Sequence, residues 1–174
     1  MTTETTINTN IGGFELIDST DENRERNEDD VAFTNTARAS MQELYAREET
    51  IKACIAHPDA VTRAFSRDPD ESVVHITKLD LLVVYNETAQ LVVDVKKNRD
   101  YVPNDPMVIE RGYPEDRGIL RDLYLGLRVP LIDSKGGVAE VQRLRNKARY
   151  GRWFPPFKIR TRTVDGTTWL GRQE

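Results

Sequence analysis

One stretch decides the fold of the first half of this chain: Leu79-Asp80-Leu81-Leu82-Val83-Val84-Tyr85-Asn86-Glu87-Thr88-Ala89-Gln90-Leu91-Val92-Val93-Asp94-Val95-Lys96. Its two arms, Leu79–Tyr85 and Gln90–Lys96, are rich in valine and leucine, which favour extended strands. The four residues between the arms are short or polar and suit a turn. The stretch therefore predicts a β-hairpin.

The residues before this hairpin predict two helices and further strands. In Ala37–Leu44 and Glu48–Ala56 apolar side chains recur at helical spacing, and Pro58 ends the second helix. Cys54 falls on the apolar stripe of that helix, which indicates a small core residue rather than a nucleophile. The sequence from 31 to 101 is thus predicted to form an α+β domain with two N-terminal helices and a small antiparallel sheet. Its other expected strands are Val31–Thr34, Ala60–Phe65 and Ser72–Thr77.

The second half of the chain predicts a helical region that ends in a hairpin. Prolines mark residues 102–117 as a linker. In the region 118–174, helical spacing resumes over Gly118–Leu127 and again through Val138, Val141 and Leu144. The final extended runs, Phe157–Val164 and Thr167–Leu170, flank Asp165-Gly166, a dipeptide that favours a tight hairpin turn.

Residues 1–30 differ from both regions, because they are acidic and contain few large apolar side chains. Such a segment cannot bury enough apolar surface to order itself. We therefore expect a flexible arm, with one short strand near Phe14–Ile17. Its negative charge suits contact with a protein partner.

The charge is distributed unevenly along the 174 residues. Residues 1–95 carry 8 basic and 19 acidic side chains, whereas residues 96–174 carry 17 and 10. Between Lys135 and Arg162 there are nine basic residues and one acid, Glu140. A segment with this charge attracts polyanions over long distances, which indicates a nucleic-acid partner. A solvated helix face, or pairing with the acidic half, would explain the same charges without a ligand.

Other features of the sequence indicate the cellular compartment of the protein. No apolar run approaches the roughly 20 residues that cross a bilayer, so no membrane association is expected. The start of the chain lacks the basic and apolar segments of a signal peptide. The single cysteine fits a reducing environment, and we expect a cytoplasmic protein.

Part of the first domain resembles the small RelE-like toxins, nearest the BrnT-like branch. The resemblance rests on Ala37, Arg38 and Met41, on the phrase Thr50-Ile51-Lys52-Ala53-Cys54-Ile55-Ala56-His57-Pro58-Asp59-Ala60-Val61, and on the ending Lys96-Lys97-Asn98-Arg99-Asp100-Tyr101. The resemblance implies a toxin–antitoxin RNase that needs no cofactor. In such an RNase, histidine, lysine, arginine and tyrosine side chains activate the 2′-hydroxyl and stabilise the phosphate. The residues that would cleave RNA are His75, Lys96, Arg99 and Tyr101. Thr34-Asn35-Thr36-Ala37 lacks the histidine that family members often carry there, so a retained fold without catalysis is the alternative.

The same hairpin also resembles, more weakly, the PD-(D/E)xK nucleases. Asp80 would supply one carboxylate, and Asp94-Val95-Lys96 would supply the second together with a lysine. Two carboxylates make a hard oxygen site that would hold Mg²⁺ and orient water. No proline precedes Asp80, and Asp94 alternates with valines as a solvent-facing residue would. Without such a nuclease site, no metal is expected.

The basic region resembles helix-turn-helix domains of phage and bacterial regulators. Ile119-Leu120-Arg121-Asp122-Leu123-Tyr124-Leu125-Gly126-Leu127-Arg128-Val129 corresponds to their first part, and Pro130 could open the second helix. Gly136-Gly137-Val138-Ala139-Glu140-Val141-Gln142-Arg143-Leu144-Arg145 would supply the turn and the recognition helix. Val138, Val141 and Leu144 should then face inward and leave a stripe of Arg145 and Arg149 for the groove. The residue types that read base edges are Gln142, Arg143, Arg145 and Asn146, and those that suit phosphates are Lys147, Arg149 and Arg152.

Aromatic side chains alternate with basic ones after this helix. Tyr150, Trp153, Phe154 and Phe157 would either stack on unpaired bases or pack into a small core. The function indicated first is a nucleic-acid-binding protein of phage or mobile-element type that binds DNA in a regulatory role. The alternatives are a nuclease of either kind above, or a phage structural or host-interaction protein.

Overall fold

The computed structural model of this chain describes residues 15–16, 30–102, 114–131, 137–151 and 153–174. It confirms the predicted α+β class, since helices and two separate sheets are both present. The Cα positions divide the chain into two compact units, residues 1–101 and residues 102–174. Most of the predicted linker, 103–113, and most of the acidic arm lie outside the described residues.

The N-terminal unit has the predicted order of strand, two helices and strands. In chain order its described elements are β1 Glu15–Leu16, β2 Ala32–Phe33, α1 Asn35–Glu43, α2 Glu48–Ala56, β3 Ala60–Arg63, β4 Val73–Lys78, β5 Leu81–Asn86 and β6 Leu91–Lys97. The hairpin of β5 and β6 forms around the expected turn. The short strand expected near Phe14–Ile17 is β1.

The sheet of this unit has the order β1-β3-β4-β5-β6-β2. Its strands pair antiparallel except for β2, which runs parallel to β6. A bulge interrupts the β5–β6 ladder, because Val84 lies opposite Asp94 while Tyr85 lies opposite Val92. Val93 is the extra residue, and its carbonyl accepts a hydrogen bond of 2.6 Å from the hydroxyl of Thr34.

Two helices bury their apolar stripes against one face of the sheet. Thr34 caps α1, since its hydroxyl oxygen accepts a 3.0 Å hydrogen bond from the Ala37 amide. Cys54 is fully buried on α2, as predicted for a core residue. The apolar residues of the helices meet those of β3 to β6, and the core they form includes Met41, Ile51, Ile55, Val74, Ile76, Val83, Val92 and Val95.

The C-terminal unit packs two helices against a small antiparallel sheet. Its described elements are α3 Pro114–Tyr124, β7 Val129–Leu131, α4 Gly137–Tyr150, β8 Lys158–Val164 and β9 Thr167–Gln173, and the strand order is β7-β9-β8. The hairpin of β8 and β9 is confirmed. Asp165 and Gly166 in its turn both have positive φ, 50° and 79°, as a tight primed turn requires. Helix α3 begins four residues earlier than predicted, at Pro114, because proline suits the first helical position.

Two expectations for this unit are wrong. Pro130 does not open a helix: it lies in β7, opposite Trp169. Since β7 is an edge strand, the amide proton that proline lacks is not needed for a ladder on the open side. Val138 does not face inward either, because it is 88% exposed. The buried positions of α4 are Val141, Leu144 and Ala148, and Val138 lies one residue off that face.

Candidate nucleic-acid interface

Helix α4 holds most of the residues predicted to bind nucleic acid, but two of its charges are used within the unit. Asp116, in the first turn of α3, is buried. Arg143 donates to its two carboxylate oxygens over 2.8 and 3.2 Å, and the Lys147 ammonium group binds the same carboxylate. Glu140 also lies 3.7 Å from Arg143. These contacts join α3 to α4. They also neutralise the charges of Arg143 and Lys147, which the sequence predicts to bind nucleic acid.

The other predicted residues of α4 divide between sheet and solvent. The side chain of Arg145 donates from Nε to the Ile159 carbonyl over 3.3 Å, so it is directed at β8. Arg149 is exposed, as are Gln142 and Asn146, whose side chains are 3.3 Å apart. The predicted stripe of Arg145 and Arg149 is therefore split, with one arginine available to a ligand. Arg152 lies outside the described residues.

A second group of basic residues lies on strand β8. Lys158, Arg160 and Arg162 occupy alternate positions, so they project from one face of the sheet, and all three are exposed. Ile159, between them, is 6% exposed and faces the helices. Within the described residues, no hydrogen bond or ion pair engages these three basic groups. We call this exposed side of β7, β9 and β8 the outer sheet face.

The neighbours of these residues on the outer sheet face are neutral. The strands β7, β8 and β9 contain no aspartate or glutamate. Arg162 lies opposite Trp169, which in turn lies opposite Pro130 on the far side. Arg160 lies opposite Gly171, where a Cβ atom would come 3.7 Å from the Arg160 Nε. The outer sheet face therefore combines three cations with one partly exposed indole, and its strands contain no acidic residue.

The inner side of the sheet carries the aromatic core of the unit. Trp153, Phe154 and Phe157 are 2–8% exposed, which agrees with the expectation that these rings pack into a small core. The Tyr124 ring stacks on Phe154 with centroids 5.8 Å apart, and the Arg172 guanidinium lies 4.5 Å from the Tyr124 centroid. Of the aromatic residues considered for base stacking, Tyr150 is exposed.

The sequence contains a signal for the row of basic residues on β8. The pattern Lys158-x-Arg160-x-Arg162 has the period of two that places side chains on one face of a strand. Trp169 belongs to the predicted terminal hairpin. Its place opposite Arg162 follows from the register that the Asp165-Gly166 turn sets. In the described part of the C-terminal unit, the exposed basic residues without an acidic partner therefore lie mainly on the sheet rather than on the predicted recognition helix.

In the N-terminal unit, the residues predicted to cleave RNA are spread along the sheet. His75 on β4 lies in one row with Val84 and Asp94, and Lys96 is two residues further along β6. Burial, and to a lesser degree the positive charge of Lys96, lowers the pKa of His75 below its ordinary value. Arg99 and Tyr101 lie past the end of β6, where the Tyr101 amide donates to the Asn98 carbonyl over 3.3 Å.

The two carboxylates expected to hold Mg²⁺ are not brought together. The Asp80 carbonyl accepts the Asn98 amide, whereas Asp94 pairs with Val84, so the two acids lie four residues apart along the β5–β6 ladder. That offset is about 13 Å of strand. Asp94 instead accepts hydrogen bonds of 2.8 Å from Ser40 and from the Val95 amide. The PD-(D/E)xK site predicted from Asp80, Asp94 and Lys96 is therefore not formed.

Neither grouped metal ligands nor a membrane-spanning helix is found among the described residues. In the part of the chain that the structure describes, no three histidine, cysteine, aspartate or glutamate side chains are grouped as metal ligands. No helix in that part is long and apolar enough to cross a membrane. No protein-family model, curated protein or solved structure matches this chain.

Proposed function

We propose that the C-terminal unit binds nucleic acid through the outer sheet face. The observation that carries the proposal is the row of Lys158, Arg160 and Arg162, exposed at alternate positions of β8 on a sheet without acidic residues. Cations that lack an intramolecular partner keep their full attraction for a polyanion. We propose that this binding has a regulatory role, as the sequence analysis indicates.

The physical basis of the binding is charge neutralisation of phosphates. Each lysine or arginine that contacts a phosphate releases condensed counterions, so affinity falls as salt rises. Exposed Arg149 on α4 adds a further cation to the unit, whereas Arg143 and Lys147 contribute less because they share Asp116. The contacts on β8 should therefore dominate the salt dependence.

The experiment compares two triple variants that remove the same charge. In the first, Lys158, Arg160 and Arg162 are replaced by glutamine; in the second, three exposed basic residues of the N-terminal unit, Arg63, Arg67 and Lys97, are replaced by glutamine. Binding of labelled DNA and RNA, as duplex and as single strand, is followed by fluorescence anisotropy over a series of salt concentrations.

We expect the β8 variant to flatten the slope of log affinity against log salt by about two to three units, one contact for each residue removed. The control variant should keep the slope of the parent. The proposal fails if the parent binds none of the probes at low salt, or if the β8 variant binds them as the parent does.

A second candidate function is RNA cleavage by the N-terminal unit. The observation that favours it is that His75 lies in one row with Asp94, two residues from Lys96 on β6, whose charge contributes to the lowered pKa of the imidazole. The test is an RNA cleavage assay on the parent, His75→Gln and Lys96→Met. Activity that both substitutions abolish would support cleavage, and a parent without activity would leave the RelE-like resemblance as one of fold.

A further inference from the structure

We infer that the outer sheet face binds a single strand, with an unpaired base stacked on Trp169 and the strand's phosphates along β8. The inference rests on the proposed nucleic-acid binding and specifies its ligand. The geometry that points to it is the placement of one indole on the same sheet face as three unpartnered cations.

Trp169 is suited to stacking because of where it lies. It is in the middle strand of the sheet, partly exposed, with Arg162 on one side and Pro130 on the other. Its neighbours along the same face of β9 are Thr167 and Gly171, both small, so neither of these two side chains can cover the ring. The other tryptophan of the chain, Trp153, is 4% exposed and belongs to the core. A large ring on an open, basic sheet face is the arrangement that holds an unpaired base.

The cations on β8 are spaced to follow an extended strand. Two residues of a β-strand advance about 7 Å, so Lys158, Arg160 and Arg162 form a row of regular steps. Successive phosphates of an extended single strand are separated on the same scale. The row of cations on β8 lies beside Trp169, which is on the neighbouring strand β9. A nucleic-acid strand whose phosphates contact β8 would therefore place a base over β9.

A duplex does not satisfy both features together. In a duplex each base is covered above and below by its neighbours, so no base face is available to an indole. A duplex would meet the cations of β8 through its phosphates and leave Trp169 without a role. A loss of affinity on substitution of Trp169 therefore distinguishes binding of a single strand from binding of a duplex.

The test uses the full chain with oligothymidylate and with a DNA duplex of the same length. We expect the parent to prefer the single strand and Trp169→Ala to weaken its binding by about ten- to hundredfold, the loss expected for one stacked base. Trp169→Phe should keep most of the affinity, since a ring remains. The matched control is Phe65→Ala, which removes an exposed aromatic side chain of the N-terminal unit and should bind both probes as the parent does.

A second readout does not depend on any variant. Because Trp153 is buried, quenching of the parent's solvent-accessible tryptophan fluorescence by bound oligothymidylate reports on Trp169. Binding of the single strand without quenching, or with Trp169→Ala unaffected, would overturn the inference. If binding then still depends on Lys158, Arg160 and Arg162, the proposed nucleic-acid function stands alone. Absence of binding to every probe would defeat both.

Discussion

Asp116 of α3 and Arg143 of α4 are joined by two hydrogen bonds, of 2.8 and 3.2 Å, although 27 residues separate them. Lys147, one turn further along α4, binds the same carboxylate. A buried carboxylate with two cationic partners orients both helices and occupies the basic groups that a ligand would otherwise use. The contact therefore has a structural role, and it removes Arg143 and Lys147 from the basic groups that are proposed to bind nucleic acid.

Replacing Asp116 by alanine should destabilise the C-terminal unit. Hydrogen bonds between charged groups contribute roughly 1.5–3 kcal/mol, and Lys147 would be left half-buried without its acid. Both tryptophans, Trp153 and Trp169, lie in this unit, so their fluorescence during urea unfolding measures the loss. The control is Glu115→Ala, because Glu115 is the exposed neighbour in the same turn. Equal stability of the two variants would contradict this role.

Thr34→Val should destabilise the N-terminal end of α1. The hydroxyl both caps the Ala37 amide and donates to the Val93 carbonyl, and valine keeps the shape while losing both hydrogen bonds. Loss of an N-cap costs about 0.5–2 kcal/mol. Hydrogen exchange of the Ala37 amide measures the effect locally, and Thr34→Ser should retain the protection. Unchanged exchange in the valine variant would show that the cap contributes nothing.

The stability of the N-terminal unit should depend on the protonation of His75. Its pKa is lowered in the folded state, so as pH falls the unfolded chain takes up the proton first. Stability is therefore lost as pH falls from the ordinary imidazole pKa toward the lowered one, and it stops changing below that. The NMR titration of the two histidines gives the midpoint, with His75→Gln to assign the signals. Lys96→Met should raise the pKa of His75 part of the way, since burial is the larger cause; an unchanged midpoint would exclude the charge effect.

Mg²⁺ should not raise the melting temperature of the N-terminal unit. Asp80 and Asp94 lie four residues apart on the ladder, and the Asp94 carboxylate accepts hydrogen bonds from Ser40 and from the Val95 amide. A bound ion would favour the folded state by mass action. Thermal unfolding in MgCl₂ is compared with NaCl of equal ionic strength. An increase with Mg²⁺ that Asp94→Asn abolishes would restore the metal site.

The elements that the sequence predicted well are those set by local patterns. The valine- and leucine-rich arms of the β5–β6 hairpin, the stripe of α2 that ends before Pro58 and the turn at Asp165-Gly166 depend on residues close in the chain. The pairing of β2 with β6 was not predicted, because two residues of strand carry no periodic signal and their partner is about 60 positions away. The bulge at Val93 shifts the ladder for the same non-local reason.

The candidate site was predicted in its charge but not in its placement. The excess of basic residues between Lys135 and Arg162 identified the C-terminal unit. Which of them face solvent depends on distant partners, such as Asp116 for Arg143 and the Ile159 carbonyl for Arg145, and composition contains no record of these. Pro130 illustrates the same limit, since proline opens helices and also tolerates edge strands, and only the pairing with β9 distinguishes the two.

The parallel pairing of β2 with β6 bears on synthesis of the chain by the ribosome. The strands β3, β4 and β5 pair with sequential neighbours, so that meander can form as the nascent chain emerges. Strand β2 precedes all of them, yet Ala32 and Phe33 have no partners until Leu91 and Val92 have been translated. Thr34 likewise waits for Val93 to accept its hydroxyl. Long-range contacts of this kind slow folding, so β2 is among the last strands of the sheet to be secured although it is translated early.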